Sequence, residues 1–257
     1  MKTSTTTLML ALCLSTLSTA TMADEVGSVT SPDGQNTLAI DRSDSGQLTY
    51  TVTRGTHTLV AASPLGLVAR EADLSAGLAL SAHSTRPINE QYALPTGKCA
   101  VYHNTCNELT LIFTKGSHTL ALQCRAYDDG VAFRYVVNGD EPLTVTADKA
   151  EVNLPSFERC WAQRYVTDYS QPYPARSWSD LQGVSDNTRK LCVPALVKST
   201  EGDDCWVLLT ESQGDAQFCA SALVAGDTTH PGCFSFALQD TPTVGPAFTT
   251  PWRTLYM

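Results

Sequence analysis

The sequence Ala126-Tyr-Asp-Asp-Gly-Val-Ala-Phe-Arg-Tyr135 carries the clearest fold signal in the chain. A turn at residues 128–130 separates two runs in which apolar and polar side chains alternate. Alternation with a period of two places successive side chains on opposite faces of a strand, and Asp-Gly favours the tight turn that joins antiparallel strands. The stretch therefore predicts a β-hairpin with one buried face.

Strand signals separated by turn residues continue along most of the chain. The run 47–54 alternates Leu48, Tyr50 and Val52 with threonines, and Gly55 follows it. Such alternation is typical of strands with one buried face and one solvated face. On this basis we predict strands over residues 38–41, 47–54, 57–61, 107–114, 118–125, 131–137, 143–147, 190–198, 205–210, 217–224 and 233–238.

The number and spacing of these strands decide the predicted fold class. Many short strands without a convincing amphipathic helix indicate an all-β sandwich. A (β/α)8 barrel needs eight strand–helix units and usually about 250 residues, so this chain has no room for one. The segment 160–187 departs from the strand pattern, because it is rich in aromatic residues and proline and has little periodicity. We predict a long functional loop there.

The first residues have the three parts of an export signal. Lys2 provides a positive charge, residues 8–17 form a short apolar core, and Thr21-Met22-Ala23 provides the small residues of a cleavage site. The apolar core is too short to cross a bilayer, and no later run reaches about 18 apolar residues. We therefore predict a signal peptide over residues 1–23 and a secreted or periplasmic mature chain over 24–257, with no membrane span.

The charge of the chain narrows its range of partners. The formal net charge is −9, charged residues make up only 17 %, and the sequence contains no cluster of lysine and arginine. Nucleic acids and anionic membranes attract basic surfaces. The composition therefore argues against both as partners.

The cysteines permit two interpretations. Cys13 lies in the predicted signal peptide, and the remaining eight form an even set that an exported chain can pair in disulfides. Cys124, however, shares a predicted strand face with Leu120 and Leu122, as a buried free thiol does. Both interpretations stay open at this point. No Cys-x-x-Cys motif occurs and no cysteine pair lies at zinc-finger spacing from histidines, which argues against a zinc site.

Three acidic positions are candidates for chemistry. Asp128-Asp129 and Asp203-Asp204 each lie beside a glycine in a predicted turn, where aspartate is favoured for its backbone hydrogen bonds. Glu211 differs, because it ends an apolar strand and can present its carboxylate at the rim of a rigid sheet. Carboxylates are good ligands for calcium, although calcium takes about six to eight oxygen atoms. On this reasoning alone, a solvated glutamate at a strand end explains Glu211 better than a metal ligand does.

Several motifs occur together and in a fixed order. The Ala126–Tyr135 hairpin is the most specific of them. The others are Ser31-Pro32-Asp33-Gly34, Ser63-Pro64-Leu65-Gly66-Leu67, Tyr102-His103-Asn104, Asn107-Glu108-Leu109-Thr110, Trp161, the run 205–211 and Thr250-Pro251-Trp252-Arg253. With these motifs, residues 24–257 resemble the N-terminal domain of glycoside hydrolase family 97, in which the last motif leads into a catalytic barrel.

The resemblance implies a β-super-sandwich of the galactose mutarotase type, packed against a (β/α)8 barrel that is missing from this chain. Members of the family are exo-acting glycosidases of α-linked oligosaccharides, mainly α-glucosidases and α-galactosidases, with a calcium ion at the active site. Their catalytic acids lie on the barrel, so we expect no catalytic residue here and no activity from this chain alone. The N-terminal domain contributes one glutamate to the calcium shell, and by motif that residue is Glu211. Calcium is thus expected only together with the barrel.

The chain departs from the family just after Glu211. The family usually carries a stretch with a Tyr-Pro pair at this place, whereas Ser212-Gln213-Gly214-Asp215-Ala216 occurs here. The resemblance therefore assigns no residue of this segment to sugar contacts.

Two other functions compete with that of a glycosidase domain. A stand-alone carbohydrate-binding module is favoured by the aromatic residues of segment 160–178, since aromatic faces stack on sugar rings. An aldose epimerase would need a histidine and a glutamate as an acid–base pair across a pocket, and no such pair is evident. A domain without its barrel should also expose an apolar patch, so we predict self-association.

Overall fold

The computed structural model describes residues 23–166, 170–182, 190–200, 205–214, 217–226 and 230–257. Within these ranges the chain forms 22 strands and one helix of four residues, and the paired strands run antiparallel. Of the predicted signal peptide only Ala23 falls inside them, as the first residue of the first strand. No helix in the described part of the chain is long and apolar enough to cross a membrane.

The first sheet has eight strands. In spatial order these are β1 (Ala23–Thr30), β2 (Asn36–Ser43), β3 (Leu48–Arg54), β4 (His57–Leu65), β12 (Glu151–Asn153), β19 (Cys233–Leu238), β18 (Ser221–Ala225) and β15 (Lys190–Leu191).

The second sheet has ten strands. In spatial order, nine of them are β14 (Ala175–Arg176), β13 (Arg159–Trp161), β16 (Ala195–Lys198), β17 (Trp206–Ser212), β22 (Trp252–Tyr256), β10 (Gly130–Asn138), β9 (His118–Tyr127), β8 (Val101–Lys115) and β7 (Ala79–Ala93). The tenth strand, β21 (Ala247–Thr249), lies off this path and pairs with β10. A third sheet of four strands consists of β20 (Thr243–Val244), β11 (Leu143–Asp148), β5 (Leu67–Ala69) and β6 (Asp73–Leu74). The helix α1 spans Trp178–Leu181.

The two large sheets face each other across one apolar core. Tyr50 of β3 and Phe133 of β10 come from different sheets, and their ring centroids lie 5.0 Å apart. Both side chains are fully buried. Burying an aromatic side chain of this size contributes about 1.5–3 kcal/mol, so such pairs between the sheets hold the sandwich together. The predicted all-β sandwich is confirmed.

The signature hairpin is confirmed as β9 and β10, and the structure explains its Asp-Asp-Gly turn. Asp128 accepts a hydrogen bond from the backbone N–H of Asp33 with its Oδ1 at 2.9 Å, which ties the turn to the β1–β2 connection. A Cβ atom at Gly130 would lie 2.3 Å from the carbonyl oxygen of Leu255. Glycine is therefore required here, because the backbone of the neighbouring strand β22 leaves no room for a side chain.

Most of the predicted strands are confirmed. The predicted strand 217–224 begins only at Ser221, and several observed strands, among them β1 and β22, were not predicted. The predicted strand 190–198 is interrupted before Pro194, which has no N–H for a ladder hydrogen bond, and forms β15 and β16. The motif Thr250–Arg253 runs into β22, which begins at Trp252 in the middle of the second sheet. The strand β7 was not predicted, because only Ile88 among its fifteen residues is buried and no alternation marks it.

The strands β7 and β8 form an arm that extends beyond the second sheet. Both have fifteen residues, but β8 pairs with β9 only from Asn107 onward. Before that point its residues Val101–Cys106 pair with β7 alone. Tyr92 and Tyr102 lie opposite each other on this two-stranded part, with their rings stacked at a centroid distance of 5.5 Å. We call residues 88–106 the hairpin arm.

Candidate functional site

Glu211 lies on β17, directly opposite Arg253 of β22. Its side chain is 10 % exposed, and that of Arg253 is 1 % exposed. Glu211 follows Val207 and Leu209 at every second position of β17, and both of those residues belong to the core. Its carboxylate therefore points into the space between the sheets. From the sequence we had expected it at the rim of the sheet.

Arg253 is the centre of a buried charge network. Its Nη2 donates to Asp148 Oδ2 at 2.7 Å and to Ser221 Oγ at 2.9 Å, and its Nη1 donates to Glu211 Oε1. The backbone N–H of Ser221 donates to Glu211 Oε2 at 3.0 Å. Burial alone would lower the pKa of Arg253, but the charges of Asp148 and Glu211 outweigh burial and raise it. The guanidinium is therefore fixed in its charged form by two carboxylates.

The surroundings of Glu211 do not by themselves form a calcium site. Both of its carboxylate oxygens already accept hydrogen bonds, and its charge is shared with Arg253. In the described part of the chain, no three histidine, cysteine, aspartate or glutamate side chains come together as a metal-binding group. Since calcium takes about six to eight oxygens, a second partner would have to supply nearly all of them. Calcium ligation by Glu211 stays a prediction.

The other sequence candidates are spread over the molecule. Asp128 and Asp129 form the β9–β10 turn, as predicted, and Asp203-Asp204 lies outside the described residues. In segment 160–187 the structure describes β13, β14 and α1 but not residues 167–169 and 183–187. Trp161 of this segment packs against Trp206, with a centroid distance of 5.2 Å.

Among the described residues, no disulfide joins the eight cysteines Cys99, Cys106, Cys124, Cys160, Cys192, Cys205, Cys219 and Cys233. Burial raises the pKa of Cys124 well above its ordinary value and that of Cys160 to about 12. Both thiols are therefore protonated near neutral pH and do not act as nucleophiles. Of the two interpretations of the cysteines, the structure supports thiols rather than disulfides, and Cys106, Cys124, Cys160 and Cys192 are the buried ones.

A second polar cluster lies on the outer face of the second sheet, around Trp252. The guanidinium carbon of Arg125 lies 4.5 Å from the Trp252 ring centroid, and that of Arg134 lies 4.3 Å from it. The Trp252 Nε1–H donates to Gln213 Oε1 at 3.0 Å, and Arg134 Nη1 donates to the same oxygen at 3.1 Å. Trp252 is 5 % exposed. The cluster thus holds Gln213 in a fixed orientation at the end of β17.

Glu108 fixes one side of this cluster. Its side chain is 2 % exposed, and its two oxygens accept hydrogen bonds from Arg86 Nε at 2.7 Å and Arg125 Nε at 2.8 Å. Burial alone would raise the pKa of Glu108, but the hydrogen bonds from the two guanidinium groups outweigh burial and lower it. Glu108 therefore pairs with both Arg86 and Arg125, and Arg125 is one of the two arginines that stack on Trp252.

A cleft of about 490 Å³ opens between this cluster and the hairpin arm. The arm contributes Tyr92, Tyr102, His103 and Asn104, and the sheet contributes Arg125, Tyr127, Gln213 and Tyr256 among others. Tyr92 and Tyr256 are among the most exposed aromatic residues of the described chain, at 49 % and 42 %. The volume falls in the range of small-molecule sites, which is about 300–1,000 Å³.

An apolar row runs across the outer face of the same sheet. Trp161 pairs with Leu196, Leu196 with Leu208, and Leu208 with Tyr256, on four neighbouring strands. All four side chains are half-buried or exposed. We call these four residues the apolar row. It ends at the cleft, which Tyr256 also lines. That an uncovered domain face is apolar stays a prediction.

Sequence reasoning missed the partners that determine both clusters. Arg253 and Trp252 were recognised only as part of a motif, and Asp148 was not singled out. The sequence offers one signal for a buried ion pair, the arginine within the run Trp252-Arg-Thr-Leu-Tyr256. A charged side chain among apolar strand residues needs a buried partner. The partner itself lies 105 residues away in sequence and could not be inferred from local pattern.

The chain is therefore an all-β sandwich that carries buried charge networks and an open cleft. A family model described as Glycosyl-hydrolase 97 N-terminal matches residues 29–257. This chain belongs to that family of N-terminal domains, as the motifs predicted.

Two proteins with similar sequences are much longer than this chain. The "Probable retaining alpha-galactosidase" of Streptomyces bingchenggensis is 31 % identical over 260 residues, which cover 96 % of this chain and 38 % of the relative. The "Retaining alpha-galactosidase" of Bacteroides thetaiotaomicron is 29 % identical over 195 residues, which cover 71 % of this chain and 28 % of the relative. The chain thus spans less than two fifths of either relative.

Solved structures share the fold. A beta-arabinopyranosidase crystal structure matches with a TM-score of 0.74 and 24 % identity over 90 % of this chain and 40 % of the other. A Glycoside Hydrolase Family 97 enzyme from Pseudoalteromonas sp. strain K8, in complex with acarbose, matches with a TM-score of 0.75 and 22 % identity over 90 % of this chain and 35 % of the other. At this identity, the likeness concerns the fold.

Proposed function

We propose that this chain is the sandwich domain of an exported family 97 α-glycosidase and acts together with a (β/α)8 catalytic barrel on α-linked oligosaccharides. The observation that carries the proposal is the family match over residues 29–257, combined with a relative called an α-galactosidase of which the chain spans 38 %. Glycoside hydrolysis usually needs two carboxyl groups about 5–10 Å apart around the bond that is cleaved. The three most buried carboxylates with described ion pairs, Glu108, Asp148 and Glu211, are instead bound to arginines, so we assign the chemistry to the barrel.

The apolar row supports a contact with a second domain. Trp161, Leu196, Leu208 and Tyr256 form a continuous outward-facing strip on the second sheet. Contiguous apolar patches of this kind mark interaction sites on soluble proteins. In the proposed enzyme the barrel covers this row. Calcium ligation by Glu211 would in addition require its carboxylate to turn away from Arg253 and towards the barrel.

Hydrolysis assays test the proposal. The chain alone, incubated with nitrophenyl α-glucoside and nitrophenyl α-galactoside, is expected to show no turnover above the buffer blank. A full-length family 97 α-galactosidase serves as the positive control under identical conditions. Turnover by the chain that disappears on substitution of one of its carboxylates would contradict the proposal.

Binding assays address the barrel contact directly. The separately expressed catalytic region of a family 97 α-galactosidase is expected to retain this chain on a column, and the variant Leu208→Asp is expected to be retained less. Thr51→Asp, on an outward position of β3 in the other sheet, is the matched control. Equal retention of both variants would exclude the apolar row as the contact.

A further inference from the structure

Two guanidinium groups share one indole ring on the outer face of the second sheet. The guanidinium carbons of Arg125 and Arg134 lie 4.5 Å and 4.3 Å from the ring centroid of Trp252. The face of the ring attracts each cation. The two cations, however, repel each other, and anionic groups beside both of them are needed to offset this repulsion.

The arginines of this cluster outnumber its carboxylates. Glu108 accepts hydrogen bonds from both Arg86 and Arg125, so its one negative charge is divided between two cations. Among the described residues, no other ion pair is formed by Arg86, Arg125 or Arg134. Three positive charges therefore face one negative charge, in a chain whose formal net charge is −9. A surplus of positive charge beside a cleft attracts anions.

Arg134 has no anionic partner in the described part of the chain. Its Nε donates to Gln123 Oε1 at 2.7 Å and its Nη1 to Gln213 Oε1 at 3.1 Å, and both acceptors are neutral amides. Its Nη2 forms no hydrogen bond with any described residue. Burial and the positive charge of Arg125 lower the pKa of Arg134, and the negative charge of Glu108 does not compensate for them. An anion next to the Nη2 group would stabilise the charged form.

The cleft of about 490 Å³ leads to this cluster. Arg125, Gln213 and Trp252 line it, and the side chain of Arg125 is 18 % exposed. Arg134 adjoins the cleft through its contacts with Gln213 and Trp252. Asp129 of the β9–β10 turn lines the cleft as well, but it forms no described ion pair with either arginine. An anion can therefore reach the arginines through the cleft.

We propose that the Trp252 end of this cleft binds a small oxyanion, a carboxylate or phosphate group held by the guanidinium groups of Arg125 and Arg134. The flat fork of N–H groups on a guanidinium matches the oxygens of such a group, and hydrogen bonds between charged partners are stronger than neutral ones. A neutral ligand would leave the surplus charge in place, and a metal ion would add to it. The contacts and charges of this cluster define the site, which is therefore independent of the proposed function.

The test follows the four tryptophan indole N–H signals in a ¹H–¹⁵N spectrum of the full chain. Trp252→Phe identifies the signal of the cluster. Sodium phosphate and sodium acetate are the probes, and each replaces sodium chloride at constant pH and ionic strength. We expect a saturable shift of the Trp252 signal with at least one probe, and a shift with only one of them identifies the preferred group. A response that sodium chloride reproduces, or no response to either probe, would overturn the proposal.

Two variants with the same change in net charge locate the anion. Arg134→Gln removes the cation without an anionic partner and keeps a donor for Gln213. It should weaken binding about tenfold or more, as expected for the loss of a hydrogen bond between charged groups. Arg70→Gln removes an exposed arginine outside the cleft and should leave binding unchanged. Unchanged signals of the other three tryptophans show that both variants are folded, and equal affinities of the two variants would overturn the proposal.

Glu108→Gln should have an effect of opposite sign. It removes the negative charge that Arg86 and Arg125 share and keeps a side chain of similar shape. The surplus of positive charge then grows, so the anion should bind more tightly at a temperature at which this variant remains folded. Binding that is weakened by Glu108→Gln as much as by Arg134→Gln would show that the cluster does not act through its charge, and would contradict the proposal.

Discussion

Glu211 and Arg253 face each other across neighbouring strands, and both point into the core of the sandwich. The pair continues to Asp148 of β11, so two carboxylates share one buried guanidinium. Three sequence segments that lie far apart are thereby joined at one point. Glu211, for which the sequence predicts a role in metal binding, is therefore also a structural residue of this chain.

Removing the arginine should destabilise the domain strongly. Arg253→Met leaves Asp148 and Glu211 buried without their partner, and we expect a loss of about 3–5 kcal/mol in the free energy of unfolding. Urea denaturation followed by tryptophan fluorescence measures it, with Arg70→Met on the surface as control. Adding Glu211→Gln to Arg253→Met should recover part of the loss, because one uncompensated charge is removed. A loss below about 1 kcal/mol would show that the network contributes little.

The stabilising effect of Glu108 should depend on pH in a defined direction. Its pKa in the folded chain lies below the ordinary value of 4.5, so its contribution is complete above that pH and disappears as the pH falls through the folded-state pKa. At pH 7 we expect Glu108→Gln to cost about 2 kcal/mol, because two hydrogen bonds to charged groups lose their charge. The difference from the wild type should shrink as the pH falls below 4.5. Glu141→Gln on the surface is the control, and a pH-independent difference would contradict the assignment.

Gly130 should not tolerate a side chain. In Gly130→Ala the new Cβ would collide with the carbonyl oxygen of Leu255, and we expect a loss of about 2 kcal/mol or more as β22 is displaced. Gly214→Ala is the matched control, because no atom lies within 4 Å of its Cβ position. Thermal unfolding of both variants measures the difference. Similar melting temperatures for the two would mean that β22 shifts without cost.

Calcium should not stabilise this chain by itself. Glu211 offers one carboxylate that is already hydrogen-bonded, and a ligand raises stability only in proportion to its binding to the folded state. We expect the same melting temperature in excess calcium chloride and in excess EDTA. A calcium-dependent increase that is lost in Glu211→Gln would instead reveal a site completed within this chain.

The apolar row should cause self-association when nothing covers it. We expect a concentration-dependent increase in the sedimentation coefficient of the wild-type chain, and a shift towards the monomer in Leu208→Asp. Leu208 is central to the row, since it pairs with Leu196 on one side and Tyr256 on the other. The control is Thr51→Asp, which should sediment like the wild type. A monomer at all concentrations would be evidence for a dedicated module that needs no second domain.

The local sequence pattern was sufficient to predict the strands in which apolar and polar residues alternate. The β9–β10 hairpin, the run 47–54 and the run 233–238 were predicted because each buries every second side chain. The arm strand β7 carried no such signal, since its residues are exposed on both faces. The cleft was also beyond local pattern, because its two walls come from residues 92–104 and from the ends of β17 and β22.

The amino-acid sequence by itself determined the sandwich class, the turns and the family, because strand period and turn chemistry depend on neighbouring residues. The tertiary structure decided that Glu211 faces Arg253, that Trp252 lies between two arginines, and that the hairpin arm overlooks Gln213. Those relationships depend on the order and register of strands that are distant in sequence. Strand order and register are set by packing across the whole sandwich, and no local stretch of sequence specifies them.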